Sequence, residues 1–104
     1  MVGNTTANFN TALGAFSLHS NTAGGDNTAT GYSSLYNNTS GGGNTAVGHS
    51  ALYKNTTSGY NSAFGVQSLV QNTTGSSNTA IGVAAIDRNS TGSNNAVLGA
   101  FAGR

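Results

Sequence analysis

The chain has no cysteine and no proline, and only five of its 104 residues are charged. Without cysteine there is no disulfide framework and no thiolate metal site. Without proline, every backbone N–H after the first residue is free to join a hydrogen-bonded ladder. Charged residues make up 5% of the chain, against about 25% in an ordinary soluble domain. A net charge of +1 gives no electrostatic pull toward nucleic acid or an anionic membrane, so neither is an expected partner. Near-neutrality also removes the usual colloidal protection against association. No apolar run approaches the ~18 residues of a membrane-spanning helix, so membrane insertion is not expected. The opening MVGNTTANFN holds neither the basic nor the apolar stretch of a secretion signal. For an exported protein, the expectation is that the signal lies outside this chain.

What the chain has in abundance is Gly, Asn, Ser, Thr and Ala, arranged with a fixed period. Asn10, Asn27, Asn44, Asn61, Asn78 and Asn95 each open the same phrase, always 17 residues apart. The units begin at 10, 27, 44, 61 and 78, with partial units at 1–9 and 95–104, and all form one repeat domain. The consensus is N-T-A-aliphatic-G-x-x-S/A-L-x-x-N-T-T-G-x-x. Position five is Gly14, Gly31, Gly48, Gly65, Gly82 and Gly99, and position twelve is Asn4, Asn21, Asn38, Asn55, Asn72 and Asn89. Positions this uniform imply that each unit meets the same surroundings, as stacked units do.

A helical solenoid needs a helix pair per repeat, usually more than ~30 residues, and Gly and Asn are poor helix formers. The pattern therefore predicts an all-β fold: a parallel β-solenoid, or β-roll, of about six 17-residue coils. T-A-V-G is read as one strand of each coil and S-A-L-Y as a second. N-T-T-G-x-x is read as the wider turn, with Gly supplying positive φ. Each coil would climb about 4.8 Å, giving a rod roughly 30 Å long. In such a stack the two Asn positions gain amide bonds to the Asn above and below. The Gly of position five answers either a positive φ or the close approach of another backbone.

The core is assigned to position four (Leu13, Val47, Phe64, Ile81, Leu98) and position nine (Leu18, Leu35, Leu52, Leu69, Ile86). Two large apolar side chains per coil make a thin core beside the entropy of ordering the coil. The expectation is a homo-oligomer, with a trimer first and an end-to-end polymer second.

The unit NTAVGHSALYKNTTSGY, residues 44–60, resembles the NTAxGxxALxxNTTG repeats of bacteriophage tail-fibre proteins. It is also similar to the N-S-V-A-I-G repeats in the heads of trimeric autotransporter adhesins, with Thr45 to Gly48 matching V-A-I-G. The resemblance covers the whole chain and implies a left-handed parallel β-roll, a trimer, and a place outside the cell or on a virion. The unit here is longer than that of the adhesin heads, and no stalk heptads or chaperone domain accompany it.

Chemistry is sparse. The acids Asp26 and Asp87 occupy positions seventeen and ten, far apart along the stack, so a general acid–base pair is not expected. His19 and His49 share no position and read as surface histidines rather than metal ligands. No Ser shares a neighbourhood with both a His and an acid, so nucleophilic catalysis is not expected. Gly24-Gly25-Asp26 is similar to a fragment of a calcium-binding β-roll, but its Asp is not repeated in the next coil. Gly41-Gly42-Gly43 lacks the helix of a phosphate loop. No cofactor is expected, and the chain reads as a non-enzyme.

Asn4, Asn37, Asn38, Asn55, Asn72 and Asn89 each begin N-x-S/T and are formal glycosylation acceptors, although stacking explains them without a glycan. Tyr32, Tyr36, Tyr53 and Tyr60, with His49, Lys54 and Arg88, fall at variable positions and are candidate contacts to a host receptor or glycan, or to neighbouring chains. Thr11, Thr28, Thr45 and Thr79, and separately Thr5, Thr22, Thr39, Thr56 and Thr73, form columns that suggest an alternative ice-binding face. The leading expectation is a structural or adhesive segment of an extracellular fibre, and a self-assembling filament without a receptor is the other alternative.

Overall fold

The computed structural model describes residues 6–103. Among the described residues the chain is an all-β parallel solenoid without a helix. Strands β1 (Thr11–Leu13), β2 (Thr28–Thr30), β3 (Thr45–Val47), β4 (Ser62–Phe64), β5 (Thr79–Ile81) and β6 (Ala96–Leu98) form one sheet in chain order. Pairing is parallel and in register, Ala29 on Ala46 and Ala46 on Ala63, so each partner lies 17 residues away. Asn4 and Thr5 lie outside the described residues.

Each strand covers only positions two to four. The residue pointing inward is the alanine of position three: Ala29, Ala46, Ala63 and Ala80 are fully buried. Alternation along a strand then turns positions two and four outward. This corrects the expected core. Leu13, Phe64, Ile81 and Leu98 are 67%, 40%, 43% and 79% exposed, and Val47 is half-buried. An aliphatic at position four therefore lines the outside of the coil, and the core is built from position nine, Leu18, Leu35, Leu52, Leu69 and Ile86, packed on the alanines. Positions three and four cannot both face inward on a period of two, and the inward residue is alanine in every coil but the last, where Val97 packs on the core.

The second expected strand is also corrected. S-A-L-Y is a pair of turns. Position seven (Phe16, Ser33, Ser50, Gln67, Ala84, Phe101) and position nine (Leu18, Leu35, Leu52, Leu69, Ile86) all have φ between 48° and 61°. Left-handed backbone at these two positions bends the chain back on itself and bars an extended run. Branched leucines in that region are strained, by order 1–3 kcal/mol each, and complete burial of the same side chains offsets the strain. Inter-coil bonding persists without the extended geometry: the N–H of Leu18 donates to the Ser34 carbonyl at 3.0 Å, and that of Leu52 to Ser68 at 3.0 Å.

The wider turn hangs from single carbonyls of the next coil. Thr39 O accepts from the N–H groups of Thr22, Ala23 and Gly24 at 3.0, 3.0 and 3.2 Å. Glycine at position fifteen is there for space, not for the positive φ expected of it. Gly24, Gly41, Gly75 and Gly92 are not among the positive-φ glycines. A Cβ on Gly41 would collide with the Ser58 carbonyl and come within 2.5 Å of Asn38 Oδ1.

Candidate functional site

The interior and the surface of the coil carry different chemistry. Inside, the two Asn columns form one connected network. At position twelve, Asn38 Nδ2 donates to Asn21 Oδ1, Asn55 to Asn38, Asn72 to Asn55 and Asn89 to Asn72, at 2.9 to 3.1 Å. At position one the expected amide-to-amide bond occurs between Asn95 Nδ2 and Asn78 Oδ1, at 3.0 Å, and the ladder otherwise runs through backbone N–H groups. The backbone N–H of Asn44 donates to Asn27 Oδ1 at 2.9 Å, that of Asn61 to Asn44 Oδ1 at 3.0 Å, and that of Asn78 to Asn61 Oδ1 at 2.9 Å. The side-chain amide is thereby freed to close its own coil. Asn27 Nδ2 donates to Gly41 O at 2.8 Å, and Asn38 Nδ2 reaches the same oxygen at 2.9 Å. One carbonyl at position fifteen thus ties both columns together in each coil. Buried amides satisfied in this way cost little and fix the register of the stack.

The network settles where the glycosylation motifs stand. Asn38, Asn55 and Asn72 are completely buried, so their amides are not accessible acceptors in the folded chain. Asn37 is half-buried and donates from Nδ2 to Tyr53 O at 3.1 Å. The second Thr column is also used internally: Thr39 and Thr73 hydroxyls donate to the carbonyls of Thr56 and Ser90 at 3.2 and 3.0 Å. The first Thr column faces outward on the strands, but Leu13, Phe64 and Ile81 share its face two residues on. It is not the flat threonine array that ice binding would need.

Outside, charge is segregated. Positions one to nine carry no charged residue in any unit, and all the charges lie at positions ten, eleven and seventeen. Two neighbouring outer surfaces stand out, and position six contributes to both. One is the position-four row already described, aliphatic and outward, with Val66 and Val83 beside it at 44% and 46% exposure. The other is aromatic and confined to three successive coils. His19 stacks on Tyr36 with ring centroids 4.8 Å apart and planes 2° apart, and Tyr36 stacks on Tyr53 at 5.2 Å and 16°. Tyr32 stacks on His49 at 5.2 Å. Phe16 lies between the two stacks, 5.7 Å from Tyr32 edge-on and 6.3 Å from Tyr36. The structure thus brings Tyr32, Tyr36 and Tyr53 together with both histidines. Tyr60 stands apart on the wider turn, 75% exposed, with its ring over Gly43. Sequence reasoning overlooks Phe16 as a surface residue. A signal for it exists, since position seven is Ser33 and Ser50 in the next two coils, which marks it as a position that does not need an apolar residue.

Asp26 and Asp87 remain on separate coils. No group of three His, Cys, Asp or Glu lies together among the described residues. A cavity of about 260 Å³ is lined by Ile86, Asn89, Asn95, Val97, Arg88 and Gly103. Four of these belong to the inward columns, so the cavity is the coil interior continuing past the last complete coil.

These features define a class: a β-solenoid of identical short coils with a polar amide spine, a thin leucine–alanine core and a neutral outer face. No protein-family model matches the chain, and neither does any curated protein or solved structure.

Proposed function

We propose that the chain is a structural, non-enzymatic segment of an extracellular fibre, of the kind found in phage tail fibres or bacterial surface adhesins. In this reading it supplies rigid reach and assembles as a parallel trimer. One observation carries the reading: the position-four row of Leu13, Thr30, Val47, Phe64, Ile81 and Leu98 is uncharged and aligned over the whole stack, apolar in every coil but that of Thr30, with Leu13, Phe64, Ile81 and Leu98 exposed. An apolar strip depleted of charge is the composition of an interface centre, and exposed apolar surface of this kind marks an interaction site. Its straight course along the axis suits a second and third copy lying alongside in the same direction. The core inside one chain is a single leucine and a few small residues per coil, so burial against neighbours adds apolar contact that the chain lacks.

Sedimentation equilibrium tests this. The chain is expected to run at the mass of three copies, and Phe64→Ser with Ile81→Ser at the mass of one, with the β circular dichroism kept. A single-chain mass for the unsubstituted protein overturns the trimer. Polymers of open-ended mass, unaffected by the two substitutions, would assign self-association to the filament reading instead.

A further inference from the structure

We infer that the aromatic surface of Phe16, His19, Tyr32, Tyr36, His49 and Tyr53 is a binding platform for a neutral polysaccharide chain. The inference deepens the fibre reading and rests on it for the exposure of this face to a foreign surface.

The fold does not need these rings. In the coils that open at Asn61 and Asn78 the same positions hold Val66, Gln67 and Val70, and Val83, Ala84 and Asp87. Those coils pair in the same parallel register, and the position-five N–H bond to the preceding coil measures 2.8 Å at Gly48, Gly65 and Gly82 alike. Six rings on three adjoining coils, and aliphatics or polar residues on the next two, are therefore a local addition to a uniform scaffold.

The chemistry of the surface selects the ligand. Within each stack the ring faces cover one another, so what solvent meets is a row of ring edges and phenol oxygens, held rigid by the stacking. The hydroxyls of Tyr32, Tyr36 and Tyr53 take no hydrogen-bond partner among the described residues. Tyrosine held in this way offers apolar area and a polar tip together at little entropic cost. The charged group at its margin, Lys54, is engaged with Gln71 Oε1 at 2.8 Å, and no carboxylate stands among the rings. A ligand that is itself neutral, with apolar C–H groups and hydroxyls alternating along its length, matches this surface.

Size and period exclude the larger alternative. The rings of three coils span about 10 Å along the axis at a coil rise of ~4.8 Å. A stable protein partner needs about 800 Å² and roughly 20–30 residues on each side, whereas the platform is six side chains. One coil rise is close to the length of one pyranose unit. Successive sugars of an extended chain would thus meet the edges of His19, Tyr36 and Tyr53 in turn.

Tyrosine fluorescence reads the platform directly, because the chain has no Trp and three of its four Tyr lie here. The probes are cellohexaose, maltohexaose and chitohexaose, with a heparin hexasaccharide as the anionic comparison. The test variant is Tyr36→Val with Tyr53→Val, which installs the residue that position ten already carries at Val70. At least one neutral hexasaccharide is expected to give a saturable change, weakened about tenfold or more in the variant, which is a loss of about 1.4 kcal/mol. Circular dichroism and sedimentation mass should be unchanged. Failure of all three neutral probes, equal affinity in the variant, or preference for heparin would each overturn the platform. Sedimentation separates this from the fibre reading: absent binding at trimer mass counts against the platform alone, whereas sugar binding by a single chain removes the trimer and leaves the platform standing.

Discussion

Gly65→Ala is expected to abolish or nearly abolish the cooperative unfolding transition. Gly65 has φ +136°, a region L-residues rarely adopt. An added Cβ would also collide with the Gly82 carbonyl group, 2.6 Å from its carbon, and lie 3.1 Å from Val83 N. Those atoms cannot give way independently, since Gly82 N–H is bonded to Phe64 O at 2.8 Å. Strain and forced separation of two coils together should cost more than about 4 kcal/mol, against a total of about 5–15 kcal/mol for a domain. The midpoint of thermal circular dichroism should fall by roughly 15–30 °C or vanish. Gly99→Ala is the comparison. Its φ is +128°, but the nearest atom to its Cβ is Ala102 Cβ at 3.6 Å, so strain alone should cost about 1–3 kcal/mol. Equal losses in the two variants would show that close approach adds nothing, and that position five is glycine for its backbone angle only.

Asn44→Ala is expected to lower stability by about 2–4 kcal/mol, measured as a shift in the urea midpoint at constant slope. Asn44 is completely buried. Its Oδ1 accepts the N–H of Asn61 at 3.0 Å and its Nδ2 donates to Ser58 O at 2.9 Å. The two losses are unequal. Ser58 O keeps the amide of Asn55 at 3.0 Å, while the Asn61 N–H is left buried and unpaired, which is the more destabilising outcome. Asn44→Asp sharpens the test. A protonated carboxyl can still accept from Asn61 and donate to Ser58, whereas a carboxylate buried here meets an oxygen. The folded carboxyl is thus expected to titrate above the unfolded value of about 3.9, so stability is fully present below that value and is lost as pH rises through the folded one. A variant equally stable at pH 3 and pH 7 would mean that the amide donor to Ser58 contributes nothing. An exposed neighbour, Thr57→Ala, should shift stability by less than about 0.5 kcal/mol.

The repeat was legible because its signal is periodicity, which needs no knowledge of where the chain goes. Parallel pairing at an interval of 17, as in Ala46 on Ala63, follows from like residues recurring at that interval. The amide ladder of position twelve follows equally, since Asn38 above Asn21 has few other uses for a buried carboxamide. Position four failed for a definite reason. Hydrophobicity ranks Phe64 and Ile81 above Ala63 and Ala80 as core, yet a strand with one inward residue can bury only position three or position four, and which of them faces in is a property of the closed coil. The second strand failed likewise: nothing in S-A-L-Y announces that Leu52 will adopt φ 52°, a conformation its own propensity opposes.

The amino-acid order alone determined the period, the register and the identity of each stacked column, because those depend only on recurrence along the chain. The tertiary structure decided which side of the coil each column faces, that position one bonds through backbone N–H groups, and that rings from positions six, seven and ten of different coils meet on one surface. Those outcomes depend on where left-handed residues at positions seven, nine and seventeen bend each coil, and the bend at position nine is held by the burial of leucine against its neighbours rather than by any local preference of the residue that makes it.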